Sequence, residues 1–237
     1  MKYRTWIHAT LIVEIAAFGA LPLAHGHDMA EHQHTGHAAA PEDHSAHMAQ
    51  AAANPLPESV SVTLSNQPLN DQDGHSRRLK SELIGDHIAV VTFVYTSCTA
   101  VCPVVSGIMA DLQKKLGERL DKDVRLVSLS VDPARDTPSR LKSYAAQFDA
   151  RPGWFWLTGS TANVTEALTG FGAYTANFEN HPVIVMIGDG RTGQWSRHYG
   201  LSNPDKLLAQ VDRYLAARQS ASYIKAVGLA KPRDGGG

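Results

Sequence analysis

Cysteine is nearly absent from this chain: two residues in 237, Cys98 and Cys102. Two thiolates are too few for a structural zinc site, which takes four protein ligands. A disulfide between them would close so short a loop that it removes little unfolded-state entropy, which argues against a stabilising clip. An excess of either charge is missing too. The chain carries 22 basic and 23 acidic residues, a formal net charge of −1, so it lacks the basic footprint of a nucleic-acid binder. No internal repeat is visible. The longest apolar stretch, Thr10 to Leu23, is broken by Glu14; a carboxylate at mid-bilayer costs about 2.5–3.5 kcal/mol on insertion scales, which disfavours a stable span. Lys2 and Arg4 precede the stretch and Ala24-His25-Gly26 follows it. Residues 1–26 therefore read as a secretory signal peptide, with an uncleaved membrane anchor as the alternative. Either way the chain is expected in a periplasm-like compartment, where a thiol pair can cycle or meet metal.

Histidine, by contrast, is concentrated. Of 12 histidines, His25, His27, His32, His34, His37, His44 and His47 cluster near the N-terminus beside Met29 and Met48. Residues 27–57 lack apolar periodicity and are expected to form a disordered tether. Imidazoles and thioethers bind copper, so these seven histidines are candidate accessory metal ligands. The folded domain is expected over 58–218, and a flexible tail over 219–237, which ends in three glycines.

Within the domain, Val60, Val62 and Leu64 alternate with polar residues ahead of the turn-forming stretch Asn70–Gly74, predicting an opening β-hairpin. Ile88 to Tyr95 is an almost unbroken β-branched and aromatic run, as in a strand buried on both faces. Apolar residues from Val104 to Leu116 then recur at helical spacing. Val124 to Val131 predicts a second strand, and Thr137-Pro138 opens a helix with proline at its first position. A short strand (Trp154 to Leu157), a helix (Thr161 to Phe171), two strands paired about Gly188-Asp189-Gly190, and a last helix from Asn203-Pro204 complete the order. Strands alternating with helices imply an α/β sheet covered on both faces. The closing hairpin before the final helix narrows this to a thioredoxin-like architecture: a central mixed sheet flanked by helices, with an N-terminal hairpin extension.

Cys98 lies just past the central strand and Cys102 at the start of the next helix. Free backbone N–H groups and the positive end of the helix dipole stabilise a thiolate there. Two converging thiolates can act as a redox pair that closes a disulfide, or hold a soft ion, Cu(I) above all.

The run Thr96-Ser97-Cys98-Thr99-Ala100-Val101-Cys102-Pro103 resembles the TxCxxxCP signature of the Sco/SenC family of copper-handling proteins. Ser130-Val131-Asp132-Pro133-Ala134-Arg135-Asp136-Thr137-Pro138 resembles that family's SVDPxRDTP motif, and the resemblance spans roughly residues 60–216. It implies a thioredoxin-like fold, export, and delivery of copper, Cu(I) or Cu(II), to the binuclear centre of a respiratory oxidase. An oxidase subunit and a thiol reductant would be the partners. It further implies a third ligand beside Cys98 and Cys102, which here would be His181. The common pattern has Asp-His followed by a hydroxyl residue, whereas this chain reads Asn180-His181-Pro182. The proline resembles the one that faces the cysteines of thioredoxins, and predicts a cis His181–Pro182 bond. Asp132, at a strand end, is a candidate for orienting a ligand; Asp136 is expected to cap the helix after it. Two other readings compete: a thiol–disulfide oxidoreductase, against which the CxxxC spacing counts, and, more weakly, a peroxidase.

Overall fold

Every residue of the run Ile88–Val94 is buried, as a strand with cover over both sheet faces requires. The structure, a computed structural model, describes residues 58–226. In chain order its strands are β1 (Glu58–Val60), β2 (Pro68–Asn70), β3 (Ser76–Arg78), β4 (Ile88–Val94), β5 (Val124–Ser130), β6 (Trp154–Leu157), β7 (Ile184–Asp189) and β8 (Gln194–Tyr199). Its α-helices are α1 (Val101–Leu116), α2 (Pro138–Ala146), α3 (Thr161–Gly170) and α4 (Pro204–Ala226).

One sheet runs in the order β1-β8-β7-β4-β5-β6. β4, β5 and β6 are parallel, while β7, β8 and β1 join as antiparallel neighbours. This is a thioredoxin-like sheet. On one face Val90, Val94, Leu126, Trp156, Val185 and Ile187 share a core with Met109 and Leu112 of α1, Leu141 of α2 and Leu207 of α4. On the other, Val91, Phe93, Val127, Leu129 and Met186 pack with Val164 and Leu168 of α3 and with Leu79 and Leu83 of a π-helical turn, Leu79–Ile84. Gly188 of β7 stands opposite Trp195 of β8. A Cβ at Gly188 would fall 2.1 Å from the indole, so only glycine admits the ring against the sheet.

The sheet register places the site. Val94 aligns with Ser130, Thr92 with Val185, and Ile184 with Tyr199. The ends of β4, β5 and β8 and the start of β7 thus lie at one edge. The segments that follow β4 and β5 and precede β7 carry Cys98, Asp132 and His181, and they meet there.

Two expectations are corrected. The N-terminal hairpin exists, but it is β2 with β3, closed by Asp71, whose carboxylate accepts from the N–H groups of Asp73 and His75. The segment with Val60, Val62 and Leu64 supplies β1 to the far edge of the main sheet and then lies against the second core. Alternation marks a half-buried strand without naming its partner. The flexible tail was expected from 219, yet α4 continues to Ala226. Residues 219–226 contain no glycine or proline, and Arg218 is anchored to Asp189 just before them. The N-terminal signal or anchor and the tether with its seven histidines lie outside the described residues. Among the described residues, no helix is long and apolar enough to cross a membrane.

Candidate metal centre

The chain leaves β4 at Tyr95 and turns into α1 through Thr96–Ala100. Asp136 holds this turn from below. Its carboxylate accepts from the Thr96 hydroxyl at 2.6 Å, from the Thr96 N–H at 3.2 Å, and from the Ser130 hydroxyl at 2.6 Å. Asp136 is therefore a buried clamp between two loops. The cap expected of it falls to Thr137, whose hydroxyl accepts from the Arg140 N–H at 3.3 Å. Pro138 lacks an N–H to offer, and the Asp136 side chain instead points inward to two hydroxyls. Replacing Asp136 by Ala will strand Thr96 and Ser130 without an acceptor. We expect a loss of about 1–3 kcal/mol of stability, measured by urea unfolding.

Helix α1 starts without a conventional cap. Ala100 offers no side-chain acceptor and the first turn has no acidic residue. The Cys98 sulfur fills that role, accepting the Cys102 N–H at 3.4 Å. Both cysteines are free thiols. Burial alone would raise the Cys98 thiol. Hydrogen bonds from the Cys102 thiol, the Cys102 and Ala100 N–H groups and the Tyr95 phenol outweigh it, and bring Cys98 down to about 7. Burial, reinforced by the Cys98 sulfur beside it, pushes Cys102 up to about 12. Burial and the Cys98 sulfur likewise raise Tyr95 to about 12, so its phenol stays a donor.

The third residue arrives from the other side. A short 3-10 turn, Phe178–Asn180, is capped by the Asn177 side chain on the Glu179 N–H, and the His181 N–H donates back to the Phe178 carbonyl at 3.2 Å. His181 is buried, and its ring meets the Tyr95 ring edge-on at 5.9 Å. Its Nδ1 lies 3.2 Å from the Pro182 carbonyl. A carbonyl only accepts, so Nδ1 carries the hydrogen and Nε2 keeps its lone pair. Burial lowers the imidazole pKa and keeps the ring neutral, the form that ligates metal. The His181–Pro182 bond is trans, correcting the cis expectation. His181 adopts φ −63°, ψ 143°, the extended conformation a trans-proline imposes on its predecessor.

The three donors share one edge of the sheet, but their ligand atoms stand wider apart than a common ion would hold them. Among the described residues, the group of three acidic, histidine or cysteine donors within 4.8 Å is Asp71, Asp73 and His75. There Asp71 is already engaged by Arg77 and by the N–H groups of its own turn. Tyr95 bridges the cysteine and histidine sides, touching Cys98 through its phenol and His181 through its ring. Two soft thiols and a neutral imidazole form a donor set suited to copper.

A model of the SCO1/SenC family matches residues 63–220. The chain belongs to the SCO1/SenC family. It is 32% identical over 122 residues to a SCO1 protein homolog of Bacillus subtilis, a match covering 50% of this chain and 63% of that relative. It thus spans somewhat less than two thirds of that protein's length. Its structure resembles that of BsSco, described as having a disulfide switch and as a member of the Sco family of cytochrome c oxidase assembly proteins. The TM-score is 0.56 and the identity 29%, over 67% of this chain and 96% of that one. It also resembles Bradyrhizobium japonicum ScoI with copper bound, with a TM-score of 0.53 and 29% identity over 64% of this chain and 99% of that one.

In this SCO1/SenC chain the second motif also folds back on itself. The Ser130 hydroxyl accepts the Asp132 N–H, and the Asp132 carbonyl accepts the N–H groups of Arg135 and Asp136. The Asp132 carboxylate faces Arg135 at 3.2 Å, so it touches neither the sulfurs nor the imidazole directly. Sequence reasoning missed Tyr95, Arg135 and Phe178. Tyr95 reads as the end of a strand and Arg135 as part of a motif, while Phe178 lies in a stretch to which the sequence assigned no element or role.

Proposed function

We propose that this chain binds copper through Cys98, Cys102 and His181 and delivers it, outside the cytoplasm, to the copper centre of a respiratory oxidase. The observation that carries the reading is the chemistry of the donor set. Cys98 is a ready thiolate at a helix N-terminus, Cys102 lies one turn on, and His181 is held neutral with Nε2 open. The copper-bound state of ScoI and the oxidase-assembly description of BsSco support the cargo and the acceptor. The histidines at 25, 27, 32, 34, 37, 44 and 47 would collect copper and pass it on, and a thiol reductant would keep the cysteines reduced.

The test is the copper content of anaerobically reduced protein. One tightly held ion per chain is expected, lost in Cys98→Ser and Cys102→Ser and weakened in His181→Ala. Wild-type protein without tight copper, but with efficient dithiol exchange, would replace this reading by the oxidoreductase one. That alternative leaned on a thioredoxin-like cis-proline beside the cysteines, and the bond is trans. For the tether, deletion of residues 27–57 should lower the number of copper ions bound; an unchanged stoichiometry would remove its collecting role.

A further inference from the structure

We propose that Phe178 is the positioning residue for His181, in contact with both Arg135 and Tyr95, so that the imidazole is held at the sheet edge that carries the cysteine pair; this rests on the copper reading above. The Arg135 guanidinium lies 5.1 Å from the centre of the Phe178 ring. Phe178 also packs edge-on against Tyr95, at 5.1 Å and 80°. Tyr95 in turn meets the His181 ring at 5.9 Å and 83°. Asp132, buried at the end of β5, holds Arg135 through a 3.2 Å ion pair. The order Asp132, Arg135, Phe178, Tyr95, His181 therefore runs unbroken from the second motif to the third ligand. It gives Asp132 a place in the site that direct contact does not.

Backbone geometry makes Phe178 the point of control. Its carbonyl accepts the His181 N–H, so fixing the ring fixes the turn on which the imidazole is mounted. The next anchor downstream is the Val183 carbonyl, which accepts the Gly200 N–H at 2.8 Å. Glu179 and Asn180, between the two anchors, are exposed. Beside Phe178 lies a cavity of about 310 Å³, lined by Val131, Asp132, Val164, Leu168 and Tyr174. Phe178 is part of that wall, and its removal enlarges the open space. A ligand loop freed in this way must be ordered again each time copper binds, and outer partners of metal ligands are typically worth about 10–100-fold in affinity.

The experiment compares wild type with Phe178→Ala, Phe178→Tyr, Arg135→Gln and His181→Ala. Three quantities are measured: Cu(II) affinity by chelator competition, the Cu(II)–thiolate absorption spectrum, and, in metal-free protein, the rate at which diethyl pyrocarbonate modifies His181. Phe178→Ala should weaken Cu(II) by about 10–100-fold, give a spectrum like that of His181→Ala, and speed His181 modification several-fold. Phe178→Tyr keeps the ring and should restore all three. If Phe178→Ala fails to fold, Arg135→Gln tests the same contact from an exposed side chain, with the same direction expected. Wild-type copper binding and His181 reactivity in Phe178→Ala, beside a weakened His181→Ala, overturn this proposal alone. Unchanged copper binding in His181→Ala overturns the copper reading and this proposal with it.

Discussion

Iodoacetamide offered to the reduced, metal-free protein at pH 7 will label Cys98 and leave Cys102 intact. Thiolate, not thiol, attacks the reagent. With Cys98 at about 7 and Cys102 at about 12, the two thiolate populations at neutral pH differ by several orders of magnitude. The Cys98 rate should rise with pH through a midpoint near 7 and then level off, because lowering its pKa leaves less thiol to convert above that point. An unperturbed cysteine would still be gaining thiolate at about pH 8.5. Peptide mapping after timed labelling measures both sites at once. Equal labelling, or a Cys98 midpoint at the unperturbed value, would show that the cradle of N–H groups and the Tyr95 phenol does not act on the sulfur. The asymmetry has a consequence for loading. At the proposed site, Cu(I) held by both sulfurs would displace the Cys102 proton and part of the Cys98 proton, so uptake at pH 7 should release between about one and two protons per ion.

Much of the scaffold that carries this chemistry was legible from composition along the chain. β4 and β6 were found because buried strands of a parallel sheet read as near-continuous apolar runs, and β5 because Val124, Leu126, Val127 and Leu129 dominate its stretch. The starts of α2 and α4 were found because proline at the first helical position has a local cause. What failed to show were pairings between distant segments. Val60, Val62 and Leu64 alternate convincingly, but nothing in that pattern names β8 as the neighbour of β1. Asp136 sits where a cap is expected, and its partner Thr96 is 40 positions away. The candidate ligands were legible because two motifs and a resemblance mark them. The residues that hold them were not, because Phe178 and Tyr95 matter through ring contacts that no spacing rule encodes.

Asp189→Ala is expected to be among the most damaging single substitutions outside the site. Asp189 ends β7 and is almost wholly buried. Arg218 of α4 grips its carboxylate with two nitrogens, at 2.9 and 2.6 Å, and the N–H groups of Arg191 and Thr192 donate to its Oδ1. Burial by itself would raise the Asp189 carboxyl pKa; Arg218 and these N–H groups outweigh it and hold the carboxyl below its usual range. Removing the carboxylate leaves the guanidinium, 12% exposed, without its partner. Breaking such a buried pair costs about 3–5 kcal/mol, or a fall in Tm on the order of 10 °C for a domain of this size. The pair also fixes how far along the sheet α4 can dock, so loss should begin with the C-terminal turns of that helix, visible as faster amide exchange there. The pH dependence follows from the depressed pKa. The pair's contribution is fully present above the carboxyl's unfolded value near 4 and is lost as pH falls through the lower folded value. The wild-type advantage over Asp189→Ala in thermal melts should therefore hold from pH 7 down to about 5 and shrink below pH 4. A variant as stable as wild type at pH 7, or an advantage that grows on acidification, would show that the pair does not anchor the helix.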